Sequence, residues 1–179
     1  MRIISGNHKG RRIQAPGNLP VRPTTDMAKE SLFNILHNHY DFEGLKVLDL
    51  FAGIGSISYE FASRDAAEVL SVELNPRCAS FITETGRKLN LTNLFVIRAN
   101  VFTYLGRGGG KKFDIIFADP PYDLEGIERI PDLVFEKNML EDEGWLIIEH
   151  PASIDFSAHP KLDQHRIYGK VNFSMFSVK

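Results

Sequence analysis

A chain of 179 residues with 43% hydrophobic and 25% charged side chains is sized for one globular domain with a sizeable core. Its net charge of −2 excludes a uniformly basic nucleic-acid binder, and the single cysteine, Cys78, excludes an intrachain disulfide. No apolar run reaches bilayer length and the first residues hold no signal-peptide core, so a soluble, cytoplasmic protein without membrane contact is expected.

The charge is unevenly spread. Residues 1–40 carry six basic side chains (Arg2, Lys9, Arg11, Arg12, Arg22 and Lys29) against Asp26 and Glu30, a net +4 that leaves −6 for the remainder. That asymmetry suggests a basic patch on a mildly acidic body; a solvated charged hairpin explains it equally well. Arg2 to Ser5 and Arg11 to Gln14 have strand-like composition around the turn-forming Gly6-Asn-His-Lys-Gly10, which predicts a basic β-hairpin. Pro16, Gly17 and Pro20 interrupt regular structure. Thr24, Thr25 and Asp26 then offer N-cap side chains to a helix with Ala28, Leu32, Ile35 and Leu36 on one face.

From Lys46 onward short apolar runs alternate with helical stretches. Val47 to Leu50, Val69 to Val72, Phe95 to Ile97, Ile115 to Ala118 and Trp145 to Ile148 are strand candidates, near-continuously apolar as in a parallel sheet covered on both faces. Cys78 falls in a helix after Pro76 and is expected to be buried and unreactive. Gly106 to Lys112 reads as a flexible loop. Arg166 to Val171 and Phe173 to Val178 read as a closing, antiparallel pair at the sheet edge.

The first of these strands runs from Lys46-Val-Leu-Asp-Leu50 into Phe51-Ala-Gly-Ile-Gly-Ser56, setting Asp49 near its carboxyl end and Gly53 and Gly55 in the following turn. Ligands of open α/β sheets bind at that end. The third glycine of a dinucleotide fingerprint is absent, because Ser58 stands in its place, so a nicotinamide cofactor is disfavoured. Glu73 ends the next strand 24 residues after Asp49, where a carboxylate can accept from ribose hydroxyls; a capping or surface role is the plainer alternative.

The segment Phe113-Asp-Ile-Ile-Phe-Ala-Asp-Pro-Pro-Tyr122 is the most specific signal. An apolar strand delivers Asp119, Pro120, Pro121 and Tyr122 to the same sheet edge, and two prolines stiffen a turn rich in carbonyl acceptors. Asp119 and the Pro120 carbonyl can accept both hydrogens of a base amine, turning its lone pair toward a methyl donor while Tyr122 stacks on the base. A Pro-Pro turn alone would be ordinary; the whole tetrad after such a strand is not. The six histidines show no ligand spacing, so no metal is expected. His150 suits a structural role at least as well as substrate contact, and Trp145 reads as core. Lys111 and Lys112 read as a solvated loop.

Together, Asp119-Pro-Pro-Tyr122 and Asp49-Leu-Phe-Ala-Gly-Ile-Gly55 resemble the class I amino-methyltransferases. With Arg2-Ile-Ile-Ser-Gly6, Lys9-Gly-Arg11, Val21-Arg-Pro-Thr-Thr-Asp26 and Lys29-Glu-Ser-Leu-Phe-Asn34, the chain resembles over essentially its whole length the RsmD family, which methylates guanine N2 in 16S ribosomal RNA. The resemblance implies a Rossmann-like α/β fold, with a mostly parallel seven-stranded sheet and helices on both faces. It also implies one methyltransferase domain, in which residues 1–22 form a basic hairpin extension on a catalytic core of residues 23–179.

By the same resemblance the cofactor is S-adenosylmethionine, held by Asp49, Gly53, Gly55, Glu73, Asn100, Val101 and Thr24. Asp119, Pro120 and Tyr122 are the catalytic group, and Lys9, Arg11, Arg12 and Arg22 contact 16S rRNA in the small ribosomal subunit or its assembly intermediate. Asn100 departs from the family, which commonly has an aspartate that accepts from the adenine amine; an asparagine carbonyl can still accept. Two other readings stay open. A DNA adenine or cytosine amino-methyltransferase would share the tetrad but usually needs a further target-recognition region, and a noncatalytic RNA-binding assembly factor would not need the tetrad at all.

Overall fold

The computed structural model describes residues 1–19, 26–108, 110–169 and 171–178. Helix α1 (Asp26–His37) precedes an alternation of β1 (Lys46–Leu50), α2 (Ser56–Ser63), β2 (Glu68–Glu73), α3 (Pro76–Lys88), β3 (Leu94–Arg98), α4 (Val101–Arg107) and β4 (Phe113–Ala118). A 3-10 turn (Ile127–Arg129), α5 (Ile130–Glu136), β5 (Leu140–His150), β6 (Leu162–Tyr168) and β7 (Val171–Ser177) complete it. All seven strands form one sheet in the order β3-β2-β1-β4-β5-β7-β6; β1 to β5 run parallel, and β7 lies antiparallel between β5 and β6. This is the expected Rossmann-like class I methyltransferase architecture.

Two apolar clusters flank the sheet. One gathers Val47, Val69, Ile115, Ile147 and Phe173 under α1, α2 and α3; the other gathers Leu48, Leu70, Ile116, Leu146 and Phe176 under α4 and α5. Alternate residues of one strand thus serve opposite layers, as the period-two geometry of a strand requires. Coverage is incomplete at the β3 edge, where Phe95 is 50% exposed and Ile97 also faces outward. Helix starts follow local chemistry: Asn75 caps α3 by accepting from the Arg77 and Cys78 amides, with Pro76 in the first turn, where a missing N–H is harmless. Cys78 is fully buried, and burial pushes its thiol pKa up.

The amino-terminal segment turns back on itself as a short hairpin, with the amides of Ile3, Gly10 and Ile13 donating across it to Arg11, Ile3 and Met1. Arg2 and Arg12 form one antiparallel bridge, Ile3 and Ile13 enter the core, and the turn rests on the far end of α2. Its amides find partners there: Ile4 and Ser5 both donate to Glu60 at 2.9 Å, Asn7 donates to the Ser63 carbonyl, and His8 donates to the Ser63 hydroxyl. A Cβ on Gly6, where φ is +79°, would lie 1.8 Å from the Ser63 carbonyl oxygen, so only glycine fits.

Glu60 is completely buried. Besides the two amides, its carboxylate accepts from Arg64 and pairs with Lys29 of α1 at 3.5 Å. Lys29, 1% exposed, also donates to the Arg2 carbonyl at 2.6 Å, and burial pulls its pKa below the usual lysine value. One carboxylate therefore fastens the amino-terminal segment and α1 onto α2. Lys29 lies on the inner face of α1 beside Ala28, Leu32, Phe33 and Leu36, while Ile35 is only half buried.

Other boundaries shift from expectation. The penultimate strand is Leu162–Tyr168 rather than Arg166–Val171, because the turn falls at Gly169. Strand β5 begins at Leu140, with a register shift between Phe113 and Ile115 that accommodates its acidic segment. Helix α4 extends through Arg107, and Lys111 in the following loop pairs with Glu68.

Replacing Glu60 with glutamine should lower the unfolding free energy by about 3 kcal/mol, since it strands a buried lysine. Urea unfolding measures this, and hydrogen exchange at Ile4 and Ser5 should accelerate more than in β1. A loss below about 1 kcal/mol would mean that the carboxylate is not the fastening point.

Candidate active site

The strand order reverses between β1 and β4, so the chain leaves their carboxyl ends in opposite directions and a cleft opens between the two exits. Register pairs Leu50 with Ala118, and the Asp119 amide donates to the Leu50 carbonyl at 3.4 Å. The loop from Phe51 and the tetrad from Asp119 thereby become opposite walls of one cavity of about 1020 Å³.

Of the residues singled out in the sequence, Gly53, Glu73, Asn100, Val101, Asp119, Pro120 and Tyr122 line this cleft. Asp49 and Gly55 stand behind the wall. Gly55, with φ +83°, begins α2, and a Cβ there would meet the Tyr59 ring at 2.9 Å and Ile82 at 3.1 Å, so its part is to shape the turn. Lys9, Arg11 and Arg12 are exposed on the amino-terminal segment, outside the cleft lining. The tip of that segment meets the Ser63–Asp65 end of α2, roughly 12 Å along the helix from the end that borders the cleft. Thr24 and Arg22 lie outside the described residues.

The loop is held by charge. Glu73 accepts from the Gly53 amide on one carboxylate oxygen and from the Asn75 amide on the other, both at 2.7 Å, and each oxygen keeps a lone pair toward the cavity side. Phe51, immediately after β1, adopts φ +59°, a left-handed conformation costing a bulky residue about 1 kcal/mol or more, and lies edge-on to Phe102 in the cleft wall. Asn100 caps α4, its side-chain oxygen accepting from the Thr103 amide at 3.1 Å. The Thr103 hydroxyl also donates to that oxygen, at 3.5 Å, so both of its acceptor positions are engaged.

Behind the loop Asp49 is buried and accepts from the Ser58 hydroxyl, and the Ser71 hydroxyl, 2.7 Å from Ser58, must then donate to Ser58. Desolvation pushes the Asp49 carboxyl up to about 7, against the Ser58 hydrogen bond, with a smaller push from Glu73.

Across the cleft Pro120 is buried, Asp119 half buried and Tyr122 49% exposed. Tyr122 donates its hydroxyl to Glu149 at 3.2 Å; burial, then the Glu149 charge, raises the phenol to about 12, so it stays a protonated donor. Glu149, together with Leu74 and Arg98, lines the cleft without having been singled out. Leu74 follows the last residue of β2 and Arg98 ends β3, each close to an expected site residue, which was the available signal. His150, next to Glu149, is buried and bonded to Ser174 and Pro151, hence structural. Among the described residues no group of three or more His, Cys, Asp or Glu is placed to hold a metal ion, and no helix is long and apolar enough to cross a membrane.

Because folded Asp49 holds its proton up to about pH 7 and the unfolded chain releases it near 3.8, the folded state binds more protons between these values. Stability should therefore fall as pH rises from about 4 to about 7 and level off above, by a few kcal/mol. Asp49→Asn should remove this slope, so that the stability difference between the two proteins, from denaturant titrations, grows with pH up to neutrality. A constant difference would show that Asp49 is ionised throughout.

The family model described as Conserved hypothetical protein 95 matches residues 1–177. Ribosomal RNA small subunit methyltransferase D of Buchnera aphidicola subsp. Baizongia pistaciae is 30% identical over 98% of this chain and 91% of its own length. Its namesake in Escherichia coli K12 is 28% identical over 98% and 89%. A hypothetical protein of Thermus thermophilus superposes with a TM-score of 0.85 at 26% identity, covering 99% of both chains. By whole-length match in sequence and shape, the chain belongs to the RsmD family.

Proposed function

We propose that this protein transfers the methyl group of S-adenosylmethionine to the N2 amine of a guanine in 16S rRNA, acting in the cytoplasm on the small ribosomal subunit or its assembly intermediate. The observation carrying this reading is the Asp119-Pro120-Pro121-Tyr122 corner on one wall of the switch-point cleft, facing the glycine loop and Glu73 on the other. The relatives named ribosomal RNA small subunit methyltransferase D support a ribosomal RNA substrate.

The residues present fit the cofactor. Glu73 retains acceptor capacity for ribose hydroxyls, Asn100 and Val101 border the space for an adenine, Val101 with an apolar surface, and Gly53 lets the loop backbone approach closely. Asp49 and Gly55 act indirectly by shaping the loop. Bound there, S-adenosylmethionine supplies a methyl group on a sulfonium leaving group. Asp119 and the Pro120 carbonyl accept the two amine hydrogens and expose the nitrogen lone pair, and Tyr122 stacks on the base. Lys9, Arg11 and Arg12, with Arg22, supply sequence-independent, salt-sensitive attraction to phosphates, and the target base leaves its stack to enter.

Labelled-methyl transfer to immature small subunits, protein-free 16S rRNA and DNA, followed by nucleoside analysis, tests the reading. N2-methylguanosine from the ribosomal samples is expected, and Asp119→Ala should reduce kcat by about a hundredfold or more while cofactor binding persists. N6-methyladenine from DNA would overturn the substrate, and full biological activity of Asp119→Ala would point to an assembly factor that does not use the chemistry.

A further inference from the structure

Glu149, the penultimate residue of β5, lies one step beyond Ile148, which is paired with Ala118 of β4, so it stands beside Asp119 at the carboxyl end of the parallel strands. It is 7% exposed and lines the cleft with Asp119, Pro120 and Tyr122. Oε1 takes the Tyr122 hydroxyl; Oε2 is buried and has no hydrogen-bond partner among the described residues. A buried carboxylate oxygen without a donor is destabilising, and in a native protein it calls for a reason. Burial raises the carboxyl pKa, which also makes the ionised form a stronger acceptor.

Guanine offers two adjacent donors on its Watson–Crick edge, the N2 amine and N1–H. With the amine gripped by Asp119 and Pro120, N1–H falls to a neighbouring acceptor on the same wall. Resting on the reading that guanine N2 is the methyl acceptor, we propose that the Glu149 carboxylate accepts the N1–H of the target guanine and so selects guanine over other bases. Tyr122 is then both the stacking surface and the group that fixes the carboxylate. Adenine and cytosine present a ring-nitrogen lone pair next to their exocyclic amine, which Glu149 repels, so selection acts by exclusion as well as attraction.

The test uses the full chain and small-subunit RNA carrying either guanine or 2-aminopurine at the modified position. 2-Aminopurine keeps the amine but replaces N1–H with an acceptor. Wild type should prefer guanine in kcat/KM by about tenfold to a hundredfold. In Glu149→Gln the amide NH2 can donate to that acceptor, so the preference should shrink by about tenfold or more. The missing O6 of 2-aminopurine affects both enzymes alike, so comparing the two preferences isolates residue 149. Unchanged preference in Glu149→Gln, including an equal loss on both RNAs, overturns the proposal. Should that variant fail to fold, judged by melting and cofactor binding, equal wild-type activity on the two RNAs overturns it instead. Absence of N2-methylguanosine from wild type on the guanine RNA is a separate result, which removes the functional reading and this proposal with it.

Discussion

The pairing of β1 with β4 is the constraint from which the rest of the molecule follows. These neighbours lie at the point where strand order turns round, so the chain after Leu50 goes one way and the chain after Ala118 the other. Neither exit can fill the space between them. The other parallel strands place chemistry relative to that gap: β2 brings Glu73 under the glycine loop, β3 brings Arg98 and then Asn100, and β5 sets Glu149 beside Asp119. Because register is fixed by alternation of inward and outward side chains, slipping β4 by one residue would turn Ile116 and Ala118 out of their layer as well as misplace the tetrad. Stability of the core and geometry of the cleft are therefore one specification.

The amino-terminal segment is fastened by a different means. It contributes Ile3 and Ile13 to the core and is closed by cross-strand bonds from the amides of Ile3, Gly10 and Ile13, but a two-stranded hairpin held by such bonds alone would be marginal. Glu60 adds to those bonds, taking the amides of Ile4 and Ser5 and pairing with Lys29 and Arg64. Buried pairs of this kind contribute little net stability over an apolar alternative, yet they forbid misassembly, because α1 docked in any other position would leave a charge unpaired. The arrangement fixes the start of α1, whose Ala28 borders the cleft.

What the sequence disclosed and what it concealed divide along the range of the interactions. Val47–Leu50 and Ile115–Ala118 were readable because buried strands need runs of apolar residues, and Asp119-Pro-Pro-Tyr122 because its rigidity is local. Lys29 and Glu60, which find each other across 31 positions, look in sequence like ordinary helix-surface charges. The first half of β5 was hidden by Glu141, Asp142 and Glu143, and β6 by the polar run Asp163-Gln-His-Arg166, since mostly exposed strands carry no apolar signature. Asp49 and Gly55 belong to a readable motif, but only the packing of Tyr59 and Ser58 shows that they support the loop from behind. Glu149 resembles any strand-end acid until the β4–β5 register sets it next to Asp119.

Charge then sorts the substrate. Glu73, Asp119 and Glu149 line the cleft, and among the described residues Arg98 is its only basic lining residue. A phosphate drawn inside would meet carboxylates in a poorly solvated space, where repulsion is stronger than at the surface. The exposed cations Arg2, Lys9, Arg11 and Arg12 instead lie outside the lining, on the amino-terminal segment. On the proposed function, a polyanion would meet cations on the amino-terminal segment and carboxylates in the cleft, so that only an uncharged, donor-bearing portion of it would enter. A single extruded base meets that condition, with its backbone left at the rim. Adenine, cytosine and guanine all carry an exocyclic amine, so the proline corner by itself cannot distinguish them. Discrimination must come from the atom next to that amine, and the acceptor that the fold places nearest the corner is the carboxylate of Glu149.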